Sequence, residues 1–247
     1  MFDNLAISIG ILLIIFIVII FLVIFAPKCQ NFFDKTDFPN LDELSKNEEL
    51  LLDTSVRLNI VESENLDDET IEKLETIKEN IPFNDLKWEK WPDKTIISGD
   101  VSILPVIFPN KETTENKKIF EKLLKYIDDK KIPVNLLYFI KLEPNSRFLE
   151  HKGYAEMTND TLRYIYCFNS YCYEEKECGI WVNYEAKKTI NGNSFIYDAS
   201  KNHSLYNNIV DVVIYLVIDF KRPDDVPNGY SDYMMPKEVS EFFTKPV

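Results

Sequence analysis

The pattern of apolar and polar residues divides the chain into three regions, and the first is the simplest. Leu5 to Ala26 is an apolar run of 22 residues without a charged side chain. A helix of this length spans about 33 Å, close to the thickness of the hydrocarbon core of a bilayer. The run is longer than the apolar core of a signal peptide, and no Lys or Arg precedes it. It predicts an uncleaved, single-pass transmembrane helix over residues 5–26.

The residues around this run leave the orientation of the protein open. Lys28 and Lys35 follow the run and no basic residue precedes it, which is a small bias towards a cytosolic C-terminal domain. Cys172 and Cys178 could form a disulfide in an oxidising compartment or stay as thiols in a reducing one. The sequence therefore predicts a membrane protein without assigning its compartment.

Residues 27–80 form the second region, which is strongly acidic. Between Leu41 and Asn80 there are 13 Asp or Glu residues against 4 Lys or Arg residues. Apolar residues recur there in two groups at helical spacing. The groups are Leu41, Leu44, Leu51, Leu52, Val56 and Ile60, and then Ile71, Leu74 and Ile77. We expect an acidic stalk whose helices pack on the domain that follows; an electrostatic site for a basic partner is the alternative.

The third region, residues 81–247, is dominated by short runs of β-branched and aromatic residues. The runs Val134–Leu142, Leu162–Phe168, Gly179–Tyr184, Ser194–Asp198 and Val210–Phe220 predict strands. Val101–Phe108 contains Pro105, which predicts an edge strand or two short pieces. Lys117–Lys130 has the apolar spacing of one helix. Because no strand–helix–strand alternation follows, we expect a mainly β domain, an antiparallel sandwich or jelly roll with flanking helices.

The net charge and the number of histidines exclude some classes of function. The formal net charge of −13 argues against a nucleic-acid partner, because phosphate contacts need clustered Lys and Arg. The chain has only two histidines, so any mechanism that needs three is excluded. These two, His151 and His203, are 52 residues apart, and each lies at the border of a predicted strand. Neutral imidazoles on rigid elements are typical metal ligands, although this spacing alone is weak evidence.

The stretch from Phe139 to Pro223 carries a longer motif around the two histidines. In order, its elements are Leu142-Glu-Pro144, His151-Lys-Gly153, Leu162-Arg163-Tyr164, Gly179, Trp181-Val182, Gly192, Asp198-Ala-Ser200, His203, Asp219 and Arg222-Pro223. This order resembles the aspartyl/asparaginyl β-hydroxylase family of iron(II)- and 2-oxoglutarate-dependent dioxygenases. Members with one N-terminal anchor and an acidic stalk also resemble this chain.

The resemblance implies a double-stranded β-helix in which His151 and His203 bind iron(II). Gly153 takes the place where most related oxygenases have a ligand carboxylate, and this family is known for a two-histidine site. Asp198 and Ser200 are expected in a turn or behind the ligands, with Asp198 as a third ligand kept as an alternative. 2-Oxoglutarate is the implied cosubstrate, and a protein or peptide side chain is the implied substrate.

Two positions depart from the family pattern. Ile165 replaces a histidine, and Val213 replaces an arginine expected ten residues after His203. A bidentate arginine supplies the positive charge that binds the distal carboxylate of 2-oxoglutarate and fixes the orientation of the molecule. The loss of this arginine therefore puts cosubstrate binding in doubt. Arg163 lies on the same strand face as Ile165 and is our candidate for cosubstrate binding. A structural ion pair is the alternative role for Arg163.

The sequence thus predicts a transmembrane helix over 5–26, an acidic linker or helical stalk over 27–80 and a β-hydroxylase-like jelly roll over 81–247. The leading function is a membrane-anchored dioxygenase that hydroxylates a protein or peptide. A degenerate, non-catalytic member that serves as a tethered binding module is the first alternative, and an oxygenase that acts on a lipid is the second.

Overall fold

The computed structural model of the chain describes Phe16, residues 30–60 and residues 86–244, except 110, 112, 171, 173 and 175. Apart from Phe16, the predicted transmembrane segment lies outside these residues, as does the predicted helix around residues 71–77. Among the helices within the described ranges, none is long and apolar enough to cross a bilayer.

Strands dominate the described part of the chain and form two antiparallel sheets. Their bounds are β1 Phe32–Phe33, β2 Glu89–Lys90, β3 Ile97–Ser98, β4 Val101–Ile107, β5 Val134–Leu142, β6 Ser146–Phe148, β7 Thr161–Cys167, β8 Cys178–Val182, β9 Glu185–Lys188, β10 Ser194–Tyr197, β11 His203–Asn207 and β12 Val213–Lys221. The larger sheet has the order β1-β10-β7-β12-β5-β4-β2, and the smaller has the order β3-β6-β11-β8-β9. The prediction of a mainly β fold with flanking helices is confirmed.

The helices of the described residues lie mostly outside the larger sheet. They are α1 Pro39–Leu44, α2 Glu48–Arg57, α3 Thr114–Ile119, α4 Glu121–Asp129, α5 Ala155–Thr158 and α6 Lys237–Thr244. Leu44 in α1, Leu51 in α2 and Leu123 in α4 pack against the outer face of the larger sheet. The inner face packs against the smaller sheet and forms a separate core. Since β12 is covered on both faces, its sequence is almost continuously apolar rather than alternating.

The acidic region contacts the domain both through strand β1 and through helices α1 and α2. Phe32 and Phe33 of β1 add a strand to the larger sheet by pairing with Tyr197 and Ile196. Helix α2 begins at Glu48 and is capped by Asn47, whose side chain accepts a hydrogen bond from the backbone N–H of Leu50. The single helix expected from Leu41 to Ile60 is therefore two helices, because this cap starts a new one after a turn at residues 45–47.

Other predicted elements also differ in detail. The predicted helix over 117–130 is interrupted at Phe120, so that α3 and α4 are separate. Strand β4 is not at an edge, because it lies between β5 and the two-residue strand β2. Pro105 is accommodated by a register shift between Pro105 and Ile107, beyond the residues of β4 that pair with β2. Strands β6, β9 and β11 were not predicted, because short polar segments carry little apolar periodicity. Helix α6 was also missed, although its Val239, Phe242 and Phe243 have helical spacing.

Cys172 and Cys178 form a disulfide with a Cα–Cα distance of 5.9 Å. It ties the loop after β7 to the first residue of β8. Cys167 is a buried free thiol on β7, and burial raises its pKa to about 12. A thiol this reluctant to ionise is suited to packing rather than nucleophilic chemistry.

Candidate metal centre

The two histidines meet at one end of the space between the sheets. His203 is the first residue of β11, and His151 follows β6 by three residues. They form an isolated antiparallel bridge, in which the N–H of each donates to the carbonyl of the other at 3.1 and 2.8 Å. Their ring centroids are 4.4 Å apart. The bridge therefore places two imidazoles side by side although they are distant in sequence.

Backbone carbonyls fix the orientation of both rings in the same way. Nδ1 of His151 lies 2.7 Å from the carbonyl oxygen of Leu149, and Nδ1 of His203 lies 2.8 Å from that of Lys201. Since a carbonyl oxygen only accepts, each Nδ1 carries the proton and each Nε2 keeps a free lone pair. This arrangement, with a carbonyl behind each ring, is typical of metal-binding histidines.

Burial keeps both imidazoles neutral. It lowers the pKa of His151 to about 4. The pKa of His203, which is only 2% exposed, falls well below its usual value because of burial and then because of the neighbouring His151. Neutral imidazole is the form that binds metals, so both rings are ready to act as ligands at neutral pH.

In the part of the chain that the structure describes, no carboxylate joins the two rings as a third metal ligand. Among the described residues, no group of three or more His, Cys, Asp or Glu side chains could hold a metal. At Gly153, where the family resemblance implies that related oxygenases have a carboxylate, an added Cβ would clash with Cγ2 of Thr158 and lie 2.8 Å from the carbonyl oxygen of Ala199. The glycine is therefore required by close packing, and a larger side chain cannot be accommodated without displacing its neighbours.

Asp198 and Ser200 lie in the turn that precedes His203. The Asp198 carboxylate accepts hydrogen bonds from the backbone N–H and hydroxyl of Ser200 at 3.0 and 2.6 Å, and it pairs with Arg222. Arg222 also donates to the carbonyls of Asn159 and Pro227. These contacts use the carboxylate to hold the turn that leads into His203.

Arg163 points inward beside the histidines, as strand alternation predicted. Its Nε and Nη2 donate to Oδ1 and Oδ2 of Asp219 at 2.6 and 2.8 Å, in a bidentate pair on adjacent strands. Burial alone would lower the pKa of Arg163, but Asp219 holds it well above the usual value. The side chain of Asp219 is only 1% exposed. The guanidinium closest to the histidines thus already has a carboxylate partner.

Val213 is far from this cluster. It is the first residue of β12, whereas Asp219 is six residues further along the strand, a distance of about 20 Å. The ten-residue spacing from His203 leads to the opposite end of β12 because residues 208–212 are used by the turn from β11. At the histidine end of β12 the inward residue is the anion Asp219, so no cation from this strand faces the histidines.

A small cavity of about 30 Å³ lies beside His151, lined also by Trp91, Tyr138, Arg163 and Phe243. Trp91 is 7% exposed, and its indole Nε1–H has no hydrogen-bond partner among the described residues. A buried donor without a partner is costly, which suggests that a small ligand or water accepts its hydrogen bond in this cavity.

A larger cavity of about 390 Å³ lies on the other side of Met157 and Phe243, which line both spaces. Phe243 belongs to α6, so the C-terminal helix separates the histidines from the larger cavity. The same C-terminal segment is held by Asp93, whose Oδ2 accepts hydrogen bonds from the hydroxyls of Tyr154 and Tyr233 at 2.8 and 3.1 Å. This wall was missed at the sequence level, because it is built from residues spread over the whole domain.

The comparisons with known proteins bear on this site. A family model described as Aspartyl/Asparaginyl beta-hydroxylase matches residues 62–223, about two thirds of the chain. The chain belongs to this family. Membership of the β-hydroxylase family supports, in general, a dioxygenase-type enzyme that uses iron(II) and 2-oxoglutarate and acts on a protein substrate. No curated protein matches the chain.

Solved structures similar to this β-hydroxylase family member include the following three. A 2OG-Fe(II) oxygenase family oxidoreductase from Burkholderia pseudomallei has 10% identity, covering 66% of this chain and 83% of its own, with a TM-score of 0.44. A predicted oxalate decarboxylase from Thermotoga maritima has 14% identity, covering 56% and 95%, with a TM-score of 0.38. A cupin 2 conserved barrel domain protein from Rhodopseudomonas palustris has 8% identity, covering 66% and 86%, with a TM-score of 0.38.

The residues present fit one of the two cofactors of the family. They fit iron(II), because two neutral imidazoles with free Nε2 atoms lie side by side. One of them, His151, lines a cavity that is also lined by Trp91, whose indole donor has no partner among the described residues. They do not fit 2-oxoglutarate in this arrangement. A cavity of about 30 Å³ is far smaller than the roughly 300–1,000 Å³ of small-molecule pockets, and Arg163 is paired with Asp219.

Proposed function

We propose that this protein is a membrane-anchored dioxygenase of the β-hydroxylase type, in which Nε2 of His151 and Nε2 of His203 bind iron(II). The observation that carries the proposal is the shared geometry of the two rings, each fixed through Nδ1 by a carbonyl two residues earlier in the chain. Bound iron supplies the activation of dioxygen in this family. The proposed substrate is a protein or peptide side chain, as the family implies.

The other residues near the iron position would have supporting roles. The carbonyls of Leu149 and Lys201 hold the rings in the tautomer that binds metal. Trp91 Nε1 would donate to a ligand in the cavity beside His151. Arg163 would contribute to cosubstrate binding only if a diacid displaced Asp219 from it. Both carboxylate oxygens of Asp219 now accept hydrogen bonds from the guanidinium of Arg163.

Iron binding is the first test. The double variant His151→Ala/His203→Ala should lose iron(II) affinity by more than about 100-fold, because removing a group behind a ligand already costs 10–100-fold. Anaerobic titration with iron(II) measures the change. Glu150→Ala is the matched control, since Glu150 is the exposed neighbour of His151. Equal affinity in the wild type and the double variant would remove the metal centre from the proposal.

Turnover is the second test. The oxygenase proposal predicts succinate from 2-oxoglutarate in the presence of iron(II) and dioxygen, above the background of the double variant. The Arg163–Asp219 pair and the small cavity favour a second candidate, a tethered metal-binding module without turnover. Iron binding without succinate would select that candidate. Mass spectrometry of a peptide and of a lipid extract after reaction would separate a peptide substrate from the alternative of a lipid.

The membrane part of the proposal rests on the apolar run from Leu5 to Ala26. The disulfide between Cys172 and Cys178 supports placing the domain on the oxidising side of the membrane, against the small charge bias of Lys28 and Lys35. Modification of these cysteines by a maleimide in intact membranes, with and without prior reduction, tests the placement. Labelling without reduction would contradict it.

A further inference from the structure

A cavity of about 330 Å³ lies next to the histidines and is not explained by the proposed reaction. We call it the rim pocket and define it by Gln30, Lys152, Asn183, Lys201, Asn202 and Tyr230. Lys152 directly follows His151, and Lys201 and Asn202 directly precede His203. The rim pocket is therefore built on the same two chain segments as the candidate metal centre.

The rim pocket is cationic in a protein whose net charge is −13. Lys201 donates to two neutral acceptors, the carbonyl of Gln30 at 2.6 Å and Oδ1 of Asn31 at 3.1 Å. Lys152 pairs at 2.6 Å with Asp232, a carboxylate with 86% side-chain exposure, and such surface pairs are weak. Lys201 therefore has no carboxylate partner among the described residues, and an anionic ligand can compete with Asp232 for Lys152.

The remaining charges of the pocket lining cancel each other. Arg222 and Asp198 also line the cavity, but they are paired and their other contacts hold the turn before His203. Among the described lining residues no other carboxylate is present. The lining thus has two more positive than negative charges, and the one carboxylate that pairs with them, Asp232, lies outside the lining and is exposed. Lysine ammonium groups in this arrangement suit a phosphate group.

The N-terminal chain brings this pocket close to the predicted membrane segment. Gln30 lines the pocket and is four residues after Ala26, the last residue of the apolar run. Four residues of chain reach at most about 14 Å. If the run spans a bilayer, the rim pocket must lie near the lipid headgroups.

The surface around the pocket has the composition of a membrane interface. Tyr230 is 87% exposed, and Tyr184, the neighbour of Asn183, is 94% exposed. Tyrosine side chains with an apolar ring and a polar tip favour the headgroup region of a bilayer, and lysines there interact with lipid phosphates. Exposed tyrosines and excess lysines thus lie on the face from which the chain leaves for the membrane.

From these contacts we infer that the rim pocket binds the phosphate of an anionic membrane lipid through Lys152 and Lys201 and so holds the histidine end of the domain against the bilayer. The inference rests on the proposed anchor but does not require iron or turnover. Its consequence is that substrates must reach the metal centre at the membrane surface.

Amide hydrogen exchange of the full chain tests the inference. The protein is placed in nanodiscs of phosphatidylcholine alone, or of phosphatidylcholine with about one third phosphatidic acid. Exchange at residues 199–203 and 226–231 should slow in the acidic discs. The variant Lys152→Gln/Lys201→Gln should lose this protection, because two lysines at a lipid surface contribute about 30-fold in affinity.

Two further variants control the result. Lys117→Gln/Lys118→Gln removes the same charge from exposed positions of α3 and should keep the protection. Lys152→Arg/Lys201→Arg keeps both charges and should also keep it, which separates loss of charge from loss of local structure.

Three outcomes would overturn the inference. They are equal exchange in both kinds of disc, protection that persists in the Lys152→Gln/Lys201→Gln variant, and equal protection by hexaglutamate added to phosphatidylcholine discs, which would make the pocket a peptide site. Failure of the anchor is recognised separately, because the chain would then not co-purify with either disc and the inference would fall with it. Failure of the metal centre leaves all of these results unchanged.

Discussion

The two ends of the space between the sheets have opposite chemistry. The histidine end contains two imidazoles, the Arg163–Asp219 pair and the unpaired indole N–H of Trp91. The far end, where β12 begins at Val213, is filled mainly by apolar side chains. Its buried polar side chains, such as Asn207, Ser170 and Thr189, bond to neighbouring backbone or side-chain groups and carry no charge. The difference teaches that the charged groups and the candidate metal ligands are concentrated at one end, whereas the polar groups of the other end hold the fold together.

The largest expected effect comes from breaking the ion pair of the histidine end. Asp219→Asn leaves Arg163 buried without a charged partner, so we expect a loss of about 3–5 kcal/mol in the free energy of unfolding. Urea denaturation measures this loss. Asp224→Asn is the control, because the side chain of Asp224 is fully exposed, and it should change stability little. A loss below about 1 kcal/mol for Asp219→Asn would mean that Arg163 finds water or another partner, and the contrast between the ends would weaken.

A smaller effect is expected in the pH dependence of stability, to which the histidine end contributes through His151. The pKa of His151 is lowered to about 4 by burial, so below its usual value of 6.5 the unfolded chain binds a proton that the folded, metal-free protein does not. The contribution to stability is complete above pH 6.5 and is lost as the pH falls towards 4, by up to about 3 kcal/mol. His151→Asn should flatten this part of the stability curve. Identical slopes between pH 6.5 and 4 in both proteins would contradict the burial of a neutral imidazole.

The smallest effect is expected at the far end. The hydroxyl of Tyr215 lies 2.8 Å from Oγ1 of Thr189. Tyr215→Phe removes one buried hydrogen bond, and we expect a loss of about 1 kcal/mol with no change in iron(II) affinity. Thermal denaturation and metal titration measure the two quantities, with Tyr230→Phe as the exposed control. A change in iron affinity would show that the two ends are coupled.

Much of the fold could be predicted from the sequence. The apolar runs over 134–142 and 162–168 correspond to β5 and, with a shift of one residue, to β7, because long β-branched and aromatic segments have few alternatives. Short polar strands such as β9 were not predicted, because pairing with a neighbour rather than local pattern makes them strands. The interruption of the helix at Phe120 was likewise not visible in the apolar spacing.

The candidate site was likewise predicted only in part from the sequence. The family motif placed both histidines and directed attention to Arg163, and the inward direction of Arg163 followed from strand alternation. The Nδ1 acceptors could not be predicted, because a backbone carbonyl has no sequence signal. Val213 was compared with the family arginine by counting residues, and counting cannot show how many of them the turn between β11 and β12 uses.

By itself, the amino-acid sequence determined the acidic charge, the 22-residue apolar run, the β-rich class of the domain and the identity of the two histidines, because these depend on composition and local pattern. Only the tertiary structure decided that His151 and His203 bridge each other, that Asp219 pairs with Arg163, and that Gln30 lies against Lys201, two residues before His203. These contacts join residues far apart in the chain, and sheet pairing and packing, rather than local preference, bring such residues together.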